Sequence, residues 1–211
     1  IDALEGLLVN FSQLVAEQRW IKELDINPLL VSHKSLLALD ARVLIHDVKE
    51  ESQLPRLAIR PYPSRYVAPW TMKDGTEVTI RPISAEDEML MRGFHESLSD
   101  KTVYMRYLSP LMLSTRITHE RLARVTHNDY DREIALIALR ESVEQMLGVA
   151  RLIRIPGSNR AEFSIVVGDP WQGKGIAAAL FQRCLTLAKE QGIEEVWGIV
   201  LPENKRMLAL G

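Results

Sequence analysis

The feature that most constrains the fold of this chain is an apolar segment that passes through a glycine-rich turn directly into a helical pattern. The segment occupies residues 166–177 and ends with Gln172-Gly173-Lys174-Gly175-Ile176-Ala177. A strand that leads into a helix predicts an α/β protein. Because the first turn of a helix has unpaired N–H groups and a dipole that favours negative charge, this junction is suited to bind an anion or a pyrophosphate.

Two other phosphate-binding loops are excluded by the residues of this turn. A Walker A loop requires Ser or Thr after its Gly-Lys pair, but Gly175 follows Lys174. The dinucleotide fingerprint requires a third glycine, and Ala178 stands at that position. A tight turn that uses glycine only for its backbone angles stays open as an alternative.

The composition excludes several classes of function. The chain has 211 residues with 26 basic and 28 acidic side chains, and its net charge of −2 gives no indication of binding to nucleic acid or to an anionic membrane. No apolar run is long enough for a membrane span. One cysteine rules out an internal disulfide and indicates a cytoplasmic protein. The five histidines are scattered without metal-ligand spacing, so we expect no metal site.

The first part of the chain is predicted to be a small helix-plus-hairpin unit followed by a linker. Apolar residues at helical spacing predict an amphipathic helix over residues 4–19. Segments 23–31 and 36–44 are typical of strands, and the turn at 33–35 makes them a hairpin. Residues 46–70 begin with a charged run and contain four prolines, which predicts an extended linker and a domain boundary.

The second part alternates strand and helix patterns. The motif Ser84-x-x-Asp87 resembles a capping box at the start of a helix. The patterns predict helices at 84–97, 101–108, 118–125 and from 176, a further helix that starts at 202–204, and strands at 76–81, 133–140, 146–155, 161–167 and 195–201.

The spacing Gln172-x-x-Gly175-x-Ala177 resembles the acyl-CoA-binding signature of the GNAT superfamily of N-acetyltransferases. Residues 71–211 are similar to a GNAT domain in their order of elements, which implies a mixed, mostly antiparallel sheet flanked by helices. The resemblance implies acetyl-CoA as co-substrate and a central strand at 161–167 that separates from its neighbour. The residues that it assigns to the donor are Ile165, Val166 and Val167 for the pantetheine amides, the N–H groups of Gln172, Gly173, Lys174, Gly175, Ile176 and Ala177 for the pyrophosphate, and Asn204.

Two of these assignments have open alternatives. Asn204 either contacts the cofactor, as its counterpart does in many GNAT relatives, or only caps the last helix. Lys174 either adds charge to the phosphates or is a solvated loop lysine.

The segments 25–29 and 38–42 resemble the C-terminal end of the ATP-grasp domain of ADP-forming acyl-CoA synthetases. Together with the junction at 57–63, they make the chain similar to the Pat-type bacterial protein lysine acetyltransferases. The resemblance implies an ATP-grasp remnant at 1–45, a linker at 46–70 and a GNAT domain at 71–211. Asn27 and Asp40 match magnesium-nucleotide residues of the synthetases, but a structural hairpin is the favoured interpretation because the rest of that domain is absent.

Acetyl transfer to an amine requires a base and a donor that polarises the thioester carbonyl. Glu162 is the candidate base because strand alternation places it on one face with Ser164, and GNAT members commonly have a catalytic glutamate there; a solvated strand-end glutamate is the alternative. A backbone N–H near Val166 or Val167 is the candidate oxyanion donor.

Cys184 lies on the apolar face of its helix and is expected to be inert. Asp169 is expected to organise its own turn.

The resemblance implies transfer of acetyl from acetyl-CoA to lysine side chains of protein substrates such as acyl-CoA synthetases. Acetylation of a small amine and a non-catalytic acyl-CoA sensor are the alternatives. The chain begins at Ile1 and ends at Gly211 within a helical pattern, so we expect a piece of a longer protein. GNAT domains usually add two more strands, and relatives often use a tyrosine or other acid near the end of the domain to protonate the leaving thiolate. Because that region would lie beyond Gly211, the resemblance implies weak activity or none, an exposed sheet edge and self-association.

Overall fold

The computed structural model describes residues 2–32, 35–50, 53–54 and 62–210. It divides into two compact units, Ile1–Pro61 and Tyr62–Gly211, which are described separately.

The first unit consists of one helix and four short strands: α1 (Asp2–Glu17), β1 (Ile21–Ile26), β2 (Leu29–Val31), β3 (Leu36–Ala38) and β4 (Ala41–Ile45). β1 pairs antiparallel with β4, and β2 with β3, so the predicted hairpin is confirmed. Each predicted arm is divided in two, however, because Pro28 has no N–H for a strand ladder. Backbone bonds from Asn27 to Asp40 and from Leu39 to Pro28 join the two halves. The turn at 33–34 lies outside the described residues.

Little of the first unit is buried. In the described parts of residues 2–54, Leu54 is the one residue that is fully buried, and the others are partly or fully exposed. All five residues of β4 are exposed, including Val43 and Ile45.

The predicted linker is shorter than expected at its C-terminal end. Residues 46–48 have no regular structure, and the junction residues 57–61 lie outside the described residues. Residues 62–70 belong to the second unit, where β5 (Ala68–Thr71) pairs with the next strand and the Tyr62 hydroxyl donates to the carbonyl of Pro82. Proline is tolerated in β5 because this is an edge strand of the sheet.

The second unit is a six-stranded sheet with helices on both faces. After β5 its strands are β6 (Glu77–Pro82), β7 (Glu133–Arg140), β8 (Gln145–Arg154), β9 (Arg160–Val167) and β10 (Glu195–Trp197), in the spatial order β10-β9-β8-β7-β6-β5. Its helices are α2 (Glu88–Glu96), α3 (Asp100–Tyr107), α4 (Leu113–Arg116), α5 (His119–Thr126), α6 (Ile176–Glu190) and α7 (Lys205–Leu208). The pairs are antiparallel except β10 with β9, which confirms the predicted mixed, mostly antiparallel α/β sheet.

Apolar side chains on the two faces of the sheet form two cores. Leu136 and Ile137 are neighbours in β7, yet Leu136 belongs to the core under α6 and Ile137 to the core under α2, α3 and α5. Both are fully buried. Complete burial of one such side chain contributes about 1.5–3 kcal/mol to folding, so the central strand fixes the position of both layers.

Some of the elements predicted for the second unit are present as expected, and others differ from the prediction. The capping box is present, with the Ser84 N–H donating to the Asp87 carboxylate at 2.8 Å. The predicted strand 195–201 is shorter, because the chain leaves β9 after Trp197. The apolar run that follows is strand-like in sequence, and its lack of a partner strand is a property of the tertiary fold. The short helix α4 was not predicted.

Candidate functional site

An open cleft begins where β9 and β10 separate. The two strands pair only over Arg160–Glu162 of β9, opposite Glu195, Val196 and Trp197. Beyond this point the free side of β9, residues 198–200 and the C-terminal end of α3 surround a cleft of about 250 Å³. This separation agrees with the expectation for the central strand.

Strand alternation determines which backbone groups of β9 face the cleft. The Arg160 carbonyl accepts from Ile155 and the Gly168 N–H donates to Leu147, so even-numbered residues direct their polar backbone groups toward β8. Ile165 and Val167 therefore direct theirs to the opposite, open side. The backbone of Val166 faces β8, in contrast to its predicted contact with pantetheine and its predicted use as an oxyanion donor.

The glycine loop connects this strand to α6. Gly173 and Gly175 have φ values of +78° and +92°, a conformation that other residues rarely adopt. α6 begins at Ile176, and in the described structure the backbone N–H groups of residues 173–178 have no backbone acceptor. The turn therefore needs glycine for its geometry, and the same geometry presents unpaired donors at a helix N-terminus.

Two polar side chains attach the loop to α3. The Gln172 side chain donates to Thr102 Oγ1 at 3.0 Å and to the Val167 carbonyl at 3.2 Å, and its own N–H is directed at the Asp169 carbonyl. The Asp169 carboxylate accepts from the N–H and hydroxyl of Ser99 and from Thr102. Gln172 is thus an anchor of the loop, and Asp169 also holds Ser99, the N-cap residue of α3, in addition to its contact within its own turn.

The pKa of Asp169 reflects these contacts. Burial raises this pKa, but the hydrogen bonds from Ser99 and Thr102 outweigh burial and bring it below its ordinary value.

The remaining residues predicted to bind acetyl-CoA differ in their surroundings. Lys174 Nζ lies 3.7 Å from the Asp74 carboxylate and 4.6 Å from the centre of the Trp171 ring, so its charge has neighbours within the protein. Ile176 is buried in the core under α6, so its side chain is not available to a ligand. Asn204 Oδ1 accepts from the Met207 N–H and caps α7, and Asn204 also lines the cleft, so both of its predicted roles fit.

The cleft beside the N-terminal half of β9 is lined by polar side chains as well as backbone. Glu162 is exposed and lines the cleft with Ser164, on the face of β9 that α3 covers. Arg106 of α3 donates to Ser164 Oγ at 2.7 Å, and its guanidinium lies 5.1 Å from the centre of the Tyr107 ring. Burial lowers the pKa of Arg106. The sequence analysis missed Arg106 and Tyr107, because nothing in the pattern of α3 indicates which face meets β9.

Other candidate sites have structural explanations. Cys184 is 1% exposed and burial raises its pKa to about 12, so the thiol is inert as predicted. Asn27 and Asp40 are joined by a backbone hydrogen bond within the hairpin of the first unit. Among the described residues, no group of three or more His, Cys, Asp or Glu could hold a metal ion. In the same part of the chain, no helix has the length and apolar character needed to cross a membrane.

The chain is similar to known acetyltransferases. Residues 77–210 match the family model of the acetyltransferase (GNAT) domain, and residues 1–45 match that of an ATP-grasp domain. An acetyltransferase of Pseudomonas aeruginosa is 24% identical over 139 residues, which are 65% of this chain and 73% of that protein. The crystal structure of the GNAT domain of S. lividans PAT superposes with a TM-score of 0.65 at 28% identity, over 71% of this chain and 87% of that one. Spermidine N-acetyltransferase of Vibrio cholerae, in complex with CoA and spermine, is similar in fold, with a TM-score of 0.51 at 20% identity over 63% of this chain and 76% of that one.

Proposed function

Since this chain belongs to the GNAT family of acetyltransferases, an acetyl-CoA-dependent group, we propose that it transfers acetyl to lysine side chains of protein substrates. Two similarities support the protein acceptor. One is the likeness to the GNAT domain of S. lividans PAT, and the other is the ATP-grasp match that precedes the GNAT domain. We further propose that acyl-CoA synthetases are among the substrates. We also propose that the chain is divided into an ATP-grasp remnant at 1–45, a linker, and a GNAT domain from residue 62.

The observation that carries the proposal is the junction of the open β9 edge with the glycine loop. The N–H groups of residues 173–177 are available to the pyrophosphate of acetyl-CoA, at a helix N-terminus that favours negative charge. The cleft-facing N–H and carbonyl of Ile165 are available to the pantetheine arm or the thioester.

Glu162 and Ile165 are proposed to carry the chemistry. A lysine has a pKa of about 10.4, so roughly one in two thousand is neutral at pH 7 and a base is needed. Glu162 takes the proton, directly or through water, as the lysine nitrogen forms a bond to the thioester carbon. The carbon–sulfur bond then breaks, the CoA thiolate takes up a proton from water, and Glu162 returns its proton to solvent. The Ile165 N–H is the best-placed oxyanion donor, because it faces the cleft and is nearer to Glu162 than is Val167.

The deciding experiment is a mass-spectrometric acetylation assay of the full-length protein with acetyl-CoA. An acyl-CoA synthetase is offered as the protein acceptor, and spermidine and free lysine are offered in parallel. We expect acetyl-lysine on the protein and slower acetylation of the free amines. Acetylation of the free amines alone would contradict the protein acceptor, and binding of acetyl-CoA without any turnover would indicate a sensor.

A further inference from the structure

Arg106 is a cation in the cleft that has no carboxylate partner among the described residues. Its one hydrogen bond runs to the neutral hydroxyl of Ser164, and no Asp or Glu oxygen lies within ion-pair distance of its guanidinium. The group is only partly accessible to water, because α3 packs against β9. The Glu162 carboxylate attracts this charge from beyond ion-pair distance, but in the described structure it makes no hydrogen bond with the guanidinium. A partly buried cation therefore keeps unpaired donors beside the candidate base.

A second arginine lies close to the same aromatic ring. The Arg121 guanidinium is 5.4 Å from the centre of the Tyr107 ring, as Arg106 is at 5.1 Å. Its Nε is buried and has no hydrogen-bond partner in the described structure. Two guanidinium groups therefore lie close to the Tyr107 ring, and Tyr107 lines the same cleft as Glu162.

The surroundings of His95 show how positive this region is. His95 is buried, and its pKa is lowered to about 4 by burial first and then by four nearby arginines: Arg116, Arg121, Arg106 and Arg151. Arg151 is paired with Glu133, and Arg116 donates to two backbone carbonyls. Of these arginines, Arg106 lines the cleft, so its charge contributes a positive potential there beside the carboxylate of Glu162.

We propose that Arg106 binds a carboxylate of the acceptor protein, so that the preferred acceptor lysine has Asp or Glu beside it in the folded surface or the sequence. This inference rests on the proposed function. The planar guanidinium has donors to spare after its single bond to Ser164 and matches a carboxylate in a fork-to-fork contact. The same charge repels polyamines, which carry several cations and no carboxylate.

The test uses blocked nonapeptides with one central lysine and either Asp or Asn at the neighbouring positions. With the full-length protein we expect kcat/KM to be about tenfold higher for the Asp peptides than for their Asn partners, a typical size for one charge-assisted contact. Arg106→Gln should reduce this ratio to about one, and Arg106→Lys should retain part of it. Thermal unfolding and CoA affinity of each variant are measured to separate lost recognition from lost folding.

Arg124→Gln is the matched control, since Arg124 is an exposed arginine of α5 away from the cleft lining, and it should keep the tenfold ratio. A wild-type protein that acetylates both peptide sets equally, or an Arg106→Gln protein that keeps the full preference, would overturn this inference and leave the proposed function intact. Absence of acetylation on every lysine peptide and on the synthetase would overturn the proposed function and this inference together.

Discussion

The two ends of β9 present different kinds of chemical group. At the C-terminal end, the glycine loop offers backbone N–H groups, and the side chains of Gln172 and Asp169 serve to hold that backbone in place. At the other end, the chemical groups are the side chains of Glu162 and Arg106, brought together from a strand and a helix. The proposed donor end, at the glycine loop, therefore tolerates changes of side chain that preserve backbone geometry, whereas the proposed acceptor end, at Glu162 and Arg106, depends on individual side chains.

The largest expected effect is at the acceptor end. Glu162→Gln removes the proposed base and should lower kcat by about 10²–10⁴-fold while leaving CoA affinity unchanged. Initial rates of protein acetylation and calorimetric titration with CoA measure the two quantities. Glu141→Gln is the control, because Glu141 is an exposed glutamate outside the cleft lining and should retain full activity. A Glu162→Gln protein with normal turnover would show that another group acts as base.

The donor end is tested through its backbone. Gly175→Ala places a Cβ on a residue with φ of +92°, which costs about 1–2 kcal/mol or a shift of the loop. A shifted loop misdirects the N–H groups, so we expect CoA affinity to fall about tenfold by calorimetry. Gly157→Ala is the matched control, with φ of +73° in the loop between β8 and β9. It should cost similar stability without a change in CoA affinity; an equal loss of affinity in both variants would contradict the cradle.

A smaller effect is expected where the loop is attached to α3. Asp169→Asn disturbs three hydrogen bonds from Ser99 and Thr102 and should lower the free energy of unfolding by about 1–3 kcal/mol at pH 7. The folded-state pKa of Asp169 is below its ordinary value, so its stabilisation is present above pH 4 and is lost as pH falls through that folded pKa. The difference between wild type and variant should therefore narrow at pH 3 in urea titrations.

Asp100→Asn is the control for this pH dependence, because Asp100 is an exposed aspartate in the first turn of the same helix. Asp100→Asn should lower the free energy of unfolding by less than Asp169→Asn does. A gap between wild type and Asp169→Asn that stays constant from pH 7 to pH 3 would exclude the carboxylate contacts as its cause.

The smallest expected effect is that of Lys174→Ala. Lys174 Nζ is near the Asp74 carboxylate and the Trp171 ring, and such exposed contacts contribute about 0–1 kcal/mol. We expect CoA affinity to change less than about threefold, within that energy range. A loss of tenfold or more would mean that Lys174 leaves Asp74 and contacts a phosphate.

Local signals were sufficient wherever a few consecutive residues determine the structure. The capping box of Ser84 and Asp87, the left-handed glycines of the loop and the buried Cys184 all follow from short-range sequence patterns. The extents of the strands were less certain, because they depend on partners. Residues 198–200 have a strand-like pattern but pair with no strand in the described part of the chain, and Pro69 lies in an edge strand rather than in a linker.

The sequence by itself determined the succession of strands and helices, the glycine turn before α6 and the position of Glu162 on β9, because periodicity and glycine torsions act between near neighbours. The mixed, mostly antiparallel order of the sheet was expected from the resemblance to the GNAT superfamily. The tertiary structure decided which β9 groups reach the cleft. It turned the backbone of Val166 toward β8 and that of Ile165 toward the opening, and it brought Arg106 against Ser164, 58 residues away. Such contacts form when α3 packs on the sheet. The helical pattern of α3 does not indicate which of its residues will face β9, so the sequence could not predict this contact.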